Sequence, residues 1–227
     1  MATTAEKKIL RKKLEKYEGR IDYIYKDSVG NLTIGVGHLL KDIDAAQKIN
    51  FIHQSDGKKA TKDEIKKDYD EVKKQTYIPE ETAASKYKQH TKLKISSDTI
   101  DSQTNDHIAS FEKELKRLYG SSKFDKFPSD VKLALFDMIF NLGMTTLKKD
   151  FPNFNKAIKA NNWAQAAKES HRKTVNDSRN KYVKDKLNKA AQSKKAKETA
   201  SNLKSKKDEK IMKDYSDKSK SRKKNEK

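Results

Sequence analysis

The chain has no cysteine, only 3 proline and 7 glycine among 227 residues, and a single tryptophan. Without thiols there is no disulfide framework, no thiolate metal site and no cysteine nucleophile. Sparse glycine and proline argue against many short strands joined by tight turns, and favour helices. No apolar run approaches the twenty residues that a membrane-spanning helix needs. The opening Met1-Ala-Thr-Thr-Ala-Glu-Lys-Lys has no uninterrupted apolar segment of the kind that heads a secretory signal. The expectation is a chain made in the cytoplasm that reaches any outside target by other means. Hydrophobic residues make up 33%, below the usual globular share, so part of the chain is expected outside any core.

What is abundant is positive charge, 53 Lys+Arg against 33 Asp+Glu for a net +20. It is concentrated at one end. Residues 181–227 hold 18 Lys/Arg and 7 Asp/Glu, more than half of the excess, with no Gly, Pro, Phe or Trp. Their few aliphatics (Leu187, Leu203, Ile211, Met212) are too scattered for a packed face. The segment reads as a solvated tail, helical or disordered. Nearly all large apolar side chains lie before residue 181, and so does the folded domain.

Thr3 followed by Glu6 is a capping-box signature, and Leu10, Leu14 and Tyr17 continue at helical spacing up to Gly19. The period then changes to two. Residues 21–25 read as a strand, 27–31 as a turn and 32–36 as the returning strand. Leu32, Ile34 and Val36 fall on one face of that strand. Thr33, Gly35 and Gly37 leave the other bare, open to close approach by a ligand or another backbone. Beyond this point the pattern is helical. A second capping box, Thr61 with Glu64, opens a helix to about Gln75, with Pro79 beyond it. Ser97 or Asp98 begins a helix to Gly120, and Pro128-Ser129-Asp130 starts the most apolar segment, which stops at Gly143. Two short helices follow, over 153–160 and 162–170. The fold class expected is α+β, one small sheet in a mainly helical domain.

Five scattered histidines without ligand spacing argue against a metal site, and no phosphate-cradling loop, nucleophile elbow, zinc-protease motif or calcium loop occurs. His107, on an apolar stripe, reads as a core histidine. One constellation carries chemistry, Glu18-x8-Asp27-x5-Thr33, ending in Ile34-Gly-Val-Gly-His38. A carboxyl at a helix C-terminus meets the negative pole of the dipole, which favours its neutral form, whereas an aspartate in a polar turn stays ionised. Two carboxyls in different protonation states are what glycoside hydrolysis requires, although acidic residues near turns are also common on ordinary surfaces.

Tyr17-Glu18-Gly19-Arg20, Ile24-Tyr25-Lys26-Asp27 and Gly30-Asn31-Leu32-Thr33-Ile34-Gly35-Val36-Gly37-His38 closely resemble the phage-type lysozymes of glycoside hydrolase family 24. A weaker resemblance covers residues 134–143 and the Trp163-Ala-Gln-Ala-Ala segment. Together they span roughly residues 9–187. The resemblance implies a two-lobed lysozyme fold over residues 1–187, with an N-lobe of about 18–75 and a helical C-lobe of about 98–187 that takes in the first helix. The cleft would lie between the lobes, and the Lys-rich tail at 188–227. It implies an inverting muramidase that cleaves the β-1,4 bond between N-acetylmuramic acid and N-acetylglucosamine in peptidoglycan, without cofactor or metal. Glu18 would be the general acid. Asp27 would position or activate water, and Thr33 would hold that water. Asn141 would contact substrate, unless it is a helix-end cap. Arg179 resembles the arginine that pairs with the catalytic glutamate, and His38 the structural histidine paired with a carboxylate, here Asp68, Asp70 or Glu71. Tyr17 stands where some members carry an acid, and the stretch 76–127 is longer than in compact members. The other readings are an idle peptidoglycan-binding module and a nucleic-acid binder acting through the tail. A monomer is expected, an endolysin released by a holin or an antibacterial effector delivered by a secretion system and matched by an immunity protein.

Overall fold

The computed structural model describes residues 2–77 and 83–224, with side chains through residue 212. Pro79, expected as a helix stop, lies outside the described residues. The chain divides into two compact units, residues 1–114 and 115–227.

The first unit opens with α1 (Thr4–Glu18). The Thr3 side chain accepts from the backbone of Glu6, and the Glu6 carboxylate accepts from Thr3, so the capping box forms as the spacing predicts. Gly19, at φ 77°, ends the helix immediately after Glu18. Strands β1 (Ile21–Lys26), β2 (Leu32–Gly35) and β3 (His38–Leu39) form an antiparallel sheet in the order β1-β2-β3. In β1–β2, Tyr25 pairs with Thr33 and Lys26 with Leu32, and an irregularity separates this stretch from the Ile21–Gly35 pair. The hairpin is the expected one, and β3 adds a strand that two residues of sequence do not announce.

Short α2 (Ile43–Gln47), capped by Asp42, leads to β4 (Phe51–His53). Helix α3 (Lys62–Lys74) has the second predicted capping box at Thr61 and ends at Gln75. A 3-10 helix (Ala84–His90) and β5 (Leu93–Ile95) follow, and β5 pairs antiparallel with β4 to make a second, two-stranded sheet. Helix α4 (Ser97–Tyr119) runs over the boundary between the units. Leu14, Ile24, Ile34, Phe51, Val72 and Ile108 lie in the buried interior of the first unit.

The second unit is helical. It comprises α5 (Ser121–Asp125), α6 (Ser129–Asp150), α7 (Pro152–Lys159), α8 (Trp163–Lys168) and α9 (Asp177–Lys224). Gly143 breaks α6 as expected. Its φ of 70° and ψ of 163° are non-helical, and a further helical segment continues to Asp150. The first part of α9 packs along α6 and α8 through Val183, Leu187 and Ala190. Residues 192–212 of the same helix are exposed. The Lys-rich segment is thus helix, continuous with the one that closes the core. No helix among the described residues is long and apolar enough to cross a membrane. The molecule is the mainly helical α+β chain that the sequence suggested.

Candidate active site

Three short-range features of the first unit converge on one side chain. Glu18 is the last residue of α1, and Gly19 and Arg20 lead straight from it into β1. The Arg20 guanidinium holds this junction. It donates to Glu15 at 2.7 Å, Asp101 at 2.9 Å and Ser97 Oγ at 2.6 Å, tying the end of α1 to the start of α4. Glu18 is half-buried. Its Cβ, Cγ and Oε2 lie 3.7 Å from the point where a Cβ on Gly37 would sit, so the β2–β3 corner covers the acid with bare main chain.

Asp27 begins the turn between β1 and β2. Its Oδ1 accepts from the backbone N–H of Val29 (3.0 Å) and Asn31 (2.9 Å), while the Asn31 amide reaches Oδ2 at 3.3 Å. An aspartate that gathers N–H groups two and four residues ahead locks the turn in one conformation. The Thr33 hydroxyl, only 2% exposed, lies 3.5 Å from Asp27 Oδ2 and 3.2 Å from the Asn31 carbonyl. Tyr77 covers the turn from outside. Its hydroxyl donates to the Ser28 carbonyl, and its ring lies 3.2 Å from where a Cβ on Gly30 would be. Gly30 has φ 85°, so both conformation and space call for glycine.

Tyr25 is paired across the hairpin with Thr33. Burial first, and then the negative charges of Glu18 and Asp27, push its hydroxyl up to about 12. Both carboxylates therefore act on one phenol. Of the three residues predicted as a set, Thr33 lies against Asp27 and Glu18 lies against the β2–β3 corner of the same sheet; Tyr25, which feels both charges, is not singled out by spacing.

His38, at the start of β3, is not paired with any of the three carboxylates considered for it. Its Nδ1 lies 2.9 Å from Nε2 of His107 on α4, with the rings T-shaped at 5.2 Å. One nitrogen donates and the other accepts. Burial pushes both imidazoles below their ordinary range; the neighbouring His107 adds to this for His38, and Asp106 partly offsets it for His107. Asp68 instead accepts from the backbone of Lys92 and Leu93 at 2.8 Å, Asp70 pairs with Lys66, and Glu71 lies 3.6 Å from Lys74. Gly35 is also spoken for. A Cβ there would fall 2.9 Å from Gln103 Oε1, so the bare strand face meets the protein's own α4.

Asn141 and Arg179 lie in the second unit. Asn141 is exposed on α6, two residues before the Gly143 break. Arg179 is 6% exposed near the start of α9, and its Nε donates to Asp137 Oδ1 at 3.2 Å. The same carboxylate accepts from Arg172 at 2.8 Å, and Arg172 is 1% exposed. Such a buried network is held in place by its geometry, since removing one partner leaves the other's charge uncompensated. No group of three His, Asp or Glu that could hold a metal occurs among the described residues.

A helix-end glutamate, a turn aspartate and a hairpin threonine thus lie on or beside one small antiparallel sheet in a mainly helical chain. Residues 15–91, which contain all three, match the phage lysozyme family. Over 168 residues the chain is 27% identical to a protein of Dictyostelium discoideum described as probable T4-type lysozyme 2, an alignment that covers 74% of this chain and 84% of that one. Over these stretches the chain is similar to the phage-type lysozymes, the group classified as glycoside hydrolase family 24.

Proposed function

We propose that the protein is a muramidase that hydrolyses the β-1,4 bond between N-acetylmuramic acid and N-acetylglucosamine in bacterial peptidoglycan. The observation that carries this reading is the placement of Glu18 at the end of α1 against the β2–β3 corner, with Thr33 against Asp27 on the same hairpin sheet. Glu18 is the proton donor to the leaving glycosidic oxygen. Its carboxyl lies beside main chain at Gly37 and has no bulky side chain there to displace. Asp27 positions the attacking water. With Oδ1 engaged by two backbone N–H groups, Oδ2 and the adjacent Thr33 hydroxyl are the atoms that can hold it. Attack by a water held on the far side of the sugar gives inversion, which requires carboxyl groups roughly 6.5–9.5 Å apart.

For His38 the reading is support of the β2–β3 corner through His107. For Asn141 as a substrate contact and Arg179 as a partner of the acid, it rests on resemblance to the family. Lysis of a bacterial wall suits an endolysin or a delivered antibacterial effector. A holin gene beside this one would mark the first, and secretion and immunity genes the second.

The test is Glu18→Gln, which keeps the shape and removes the transferable proton. Release of reducing ends from purified peptidoglycan is expected to fall by at least about 100-fold, the scale of a lost general acid. The far-ultraviolet circular dichroism spectrum and urea midpoint should stay close to the parent's. A Gln variant that clears walls at the parent rate removes the assignment.

A further inference from the structure

The exposed part of α9 and the hollow at its root are not used by the chemistry above. Between 191 and 212 this helix carries seven lysines and three acidic residues, with no arginine and no aromatic. At helical periodicity Lys194, Lys197, Glu198, Lys204 and Asp208 continue the stripe on which Val183, Leu187 and Ala190 are buried. Lys195, Lys206, Lys207 and Lys210 lie around the remaining face. Where the helix leaves the core, a hollow of about 390 Å³ opens beside it. Phe127 and Trp163 are part of its floor, packed edge to face at 5.3 Å, and Lys123, Lys126, Lys194 and Lys197 line it. Lys123 and Lys194 donate to the carbonyls of Lys159 and Asn161 at the end of α7, which fixes that side of the rim. Lys197 and Lys204, seven residues apart, share a helix face and carry the basic surface outward from the hollow.

We propose that this hollow and the lysine face of α9 form an anchoring site for a phosphate-bearing glycopolymer of the bacterial wall, separate from the hydrolytic site. The inference rests on the muramidase reading for the location of the partner and on α9 for its chemistry. Ring and aliphatic carbons on the floor suit the apolar face of a sugar. The lysines supply point charges for phosphates spaced along a linear chain. The same features disfavour other polyanions. Between 191 and 212 there is no arginine for bidentate reading of bases and no aromatic for stacking a single strand. Leu203, Ile211 and Met212 are exposed but do not share one helix face, so the arm lacks the apolar side that a membrane surface requires. A helix bearing this many like charges repels itself, and polymer phosphates relieve that repulsion.

The experiment uses the full chain carrying Glu18→Gln, so that retention is read without digestion, with and without Lys126→Gln, Lys197→Gln and Lys204→Gln. These three lysines are exposed, and circular dichroism with the urea midpoint checks that the fold is kept. Binding is measured on sacculi that keep their phosphodiester-linked glycopolymer, on the same sacculi stripped of it by acid, on a duplex DNA, and on vesicles containing an anionic phospholipid. The expected result is at least tenfold tighter binding to intact than to stripped sacculi, with most of that difference lost in the triple variant. The slope of log affinity against log salt should flatten by about 2, at roughly 0.7–0.9 per lost phosphate contact. Equal binding to intact and stripped walls, or an unaffected triple variant, overturns the proposal. Tighter binding to DNA or to vesicles overturns it in favour of that partner. Lysis by Glu18→Gln would sink the muramidase reading while leaving a positive retention result standing.

Discussion

Tyr25 experiences the two carboxylates of the hairpin at once, and its own chemistry reports on them. A phenol held near pH 12 by burial and two negative neighbours stays protonated throughout the working range of a wall hydrolase. It can donate a hydrogen bond and cannot act as a base. In a spectrophotometric titration near 295 nm, Tyr25→Phe should remove one transition at the alkaline end, close to pH 12. In a background of Glu18→Gln the Tyr25 transition should move towards neutrality, because one of the charges that raise it is gone. No movement would mean that the two side chains do not sense each other. Glu18, Asp27 and Thr33 were legible because they sit on a short, ungapped motif. Tyr25 stands in the sequence as a strand residue within the family-like run of residues 24–27, and its electrostatic coupling to both carboxylates is not visible there.

At the scale of elements, the turn between β1 and β2 shows how local and distant signals divide. The Asp27 side chain, Gly30 and Asn31 shape the turn from within, and the sequence displays all three. Tyr77, whose ring closes it from outside, is 47 residues beyond Gly30 and gave no sign. Gly30→Ala must therefore meet two obstacles, a left-handed φ and the Tyr77 ring at 3.2 Å. The expected outcome is a loss of stability of roughly 1–3 kcal/mol in urea unfolding and a fall in turnover, since Asp27 is carried by the same turn. Unchanged stability would mean that Tyr77 does not pack there. The capping boxes at Thr3 and Thr61 were equally legible, because a cap and its partner are three residues apart. Strands β3, β4 and β5 have two or three residues each, too few for a period to register, and β4 and β5 exist because of a pairing fixed at long range.

For the whole molecule, the histidine pair links pH to the stability of the first unit. His38 and His107 are 69 residues apart, so their contact is not legible from spacing, and the partner lies on α4 and not among Asp68, Asp70 and Glu71 of α3. Both folded-state pKa values lie below the ordinary 6.5. Unfolded chains thus take up protons that the folded pair resists, and stability is whole above about 6.5 and drains away as pH falls through the lowered values. Urea midpoints measured from pH 7.5 down to 4.5 should show this decline, and His38→Asn with His107→Gln should flatten the histidine part of it. A parent midpoint that rises on acidification would contradict the pairing. The tail illustrates the reverse case. Its charge was plain from composition, but its helical state was not, because a segment without an apolar face has no period to reveal it. The helix enters that stretch from Val183, Leu187 and Ala190 upstream.

The main-chain wall at Gly37 limits how this enzyme can be retuned. A position with no side chain and a φ of 67° offers no residue whose size, polarity or charge could be exchanged to adjust the Glu18 carboxyl beside it. Selection for a shifted acid or alkaline optimum should leave residue 37 untouched and accumulate changes on the β1 side of Glu18, with Tyr25 the first place to look.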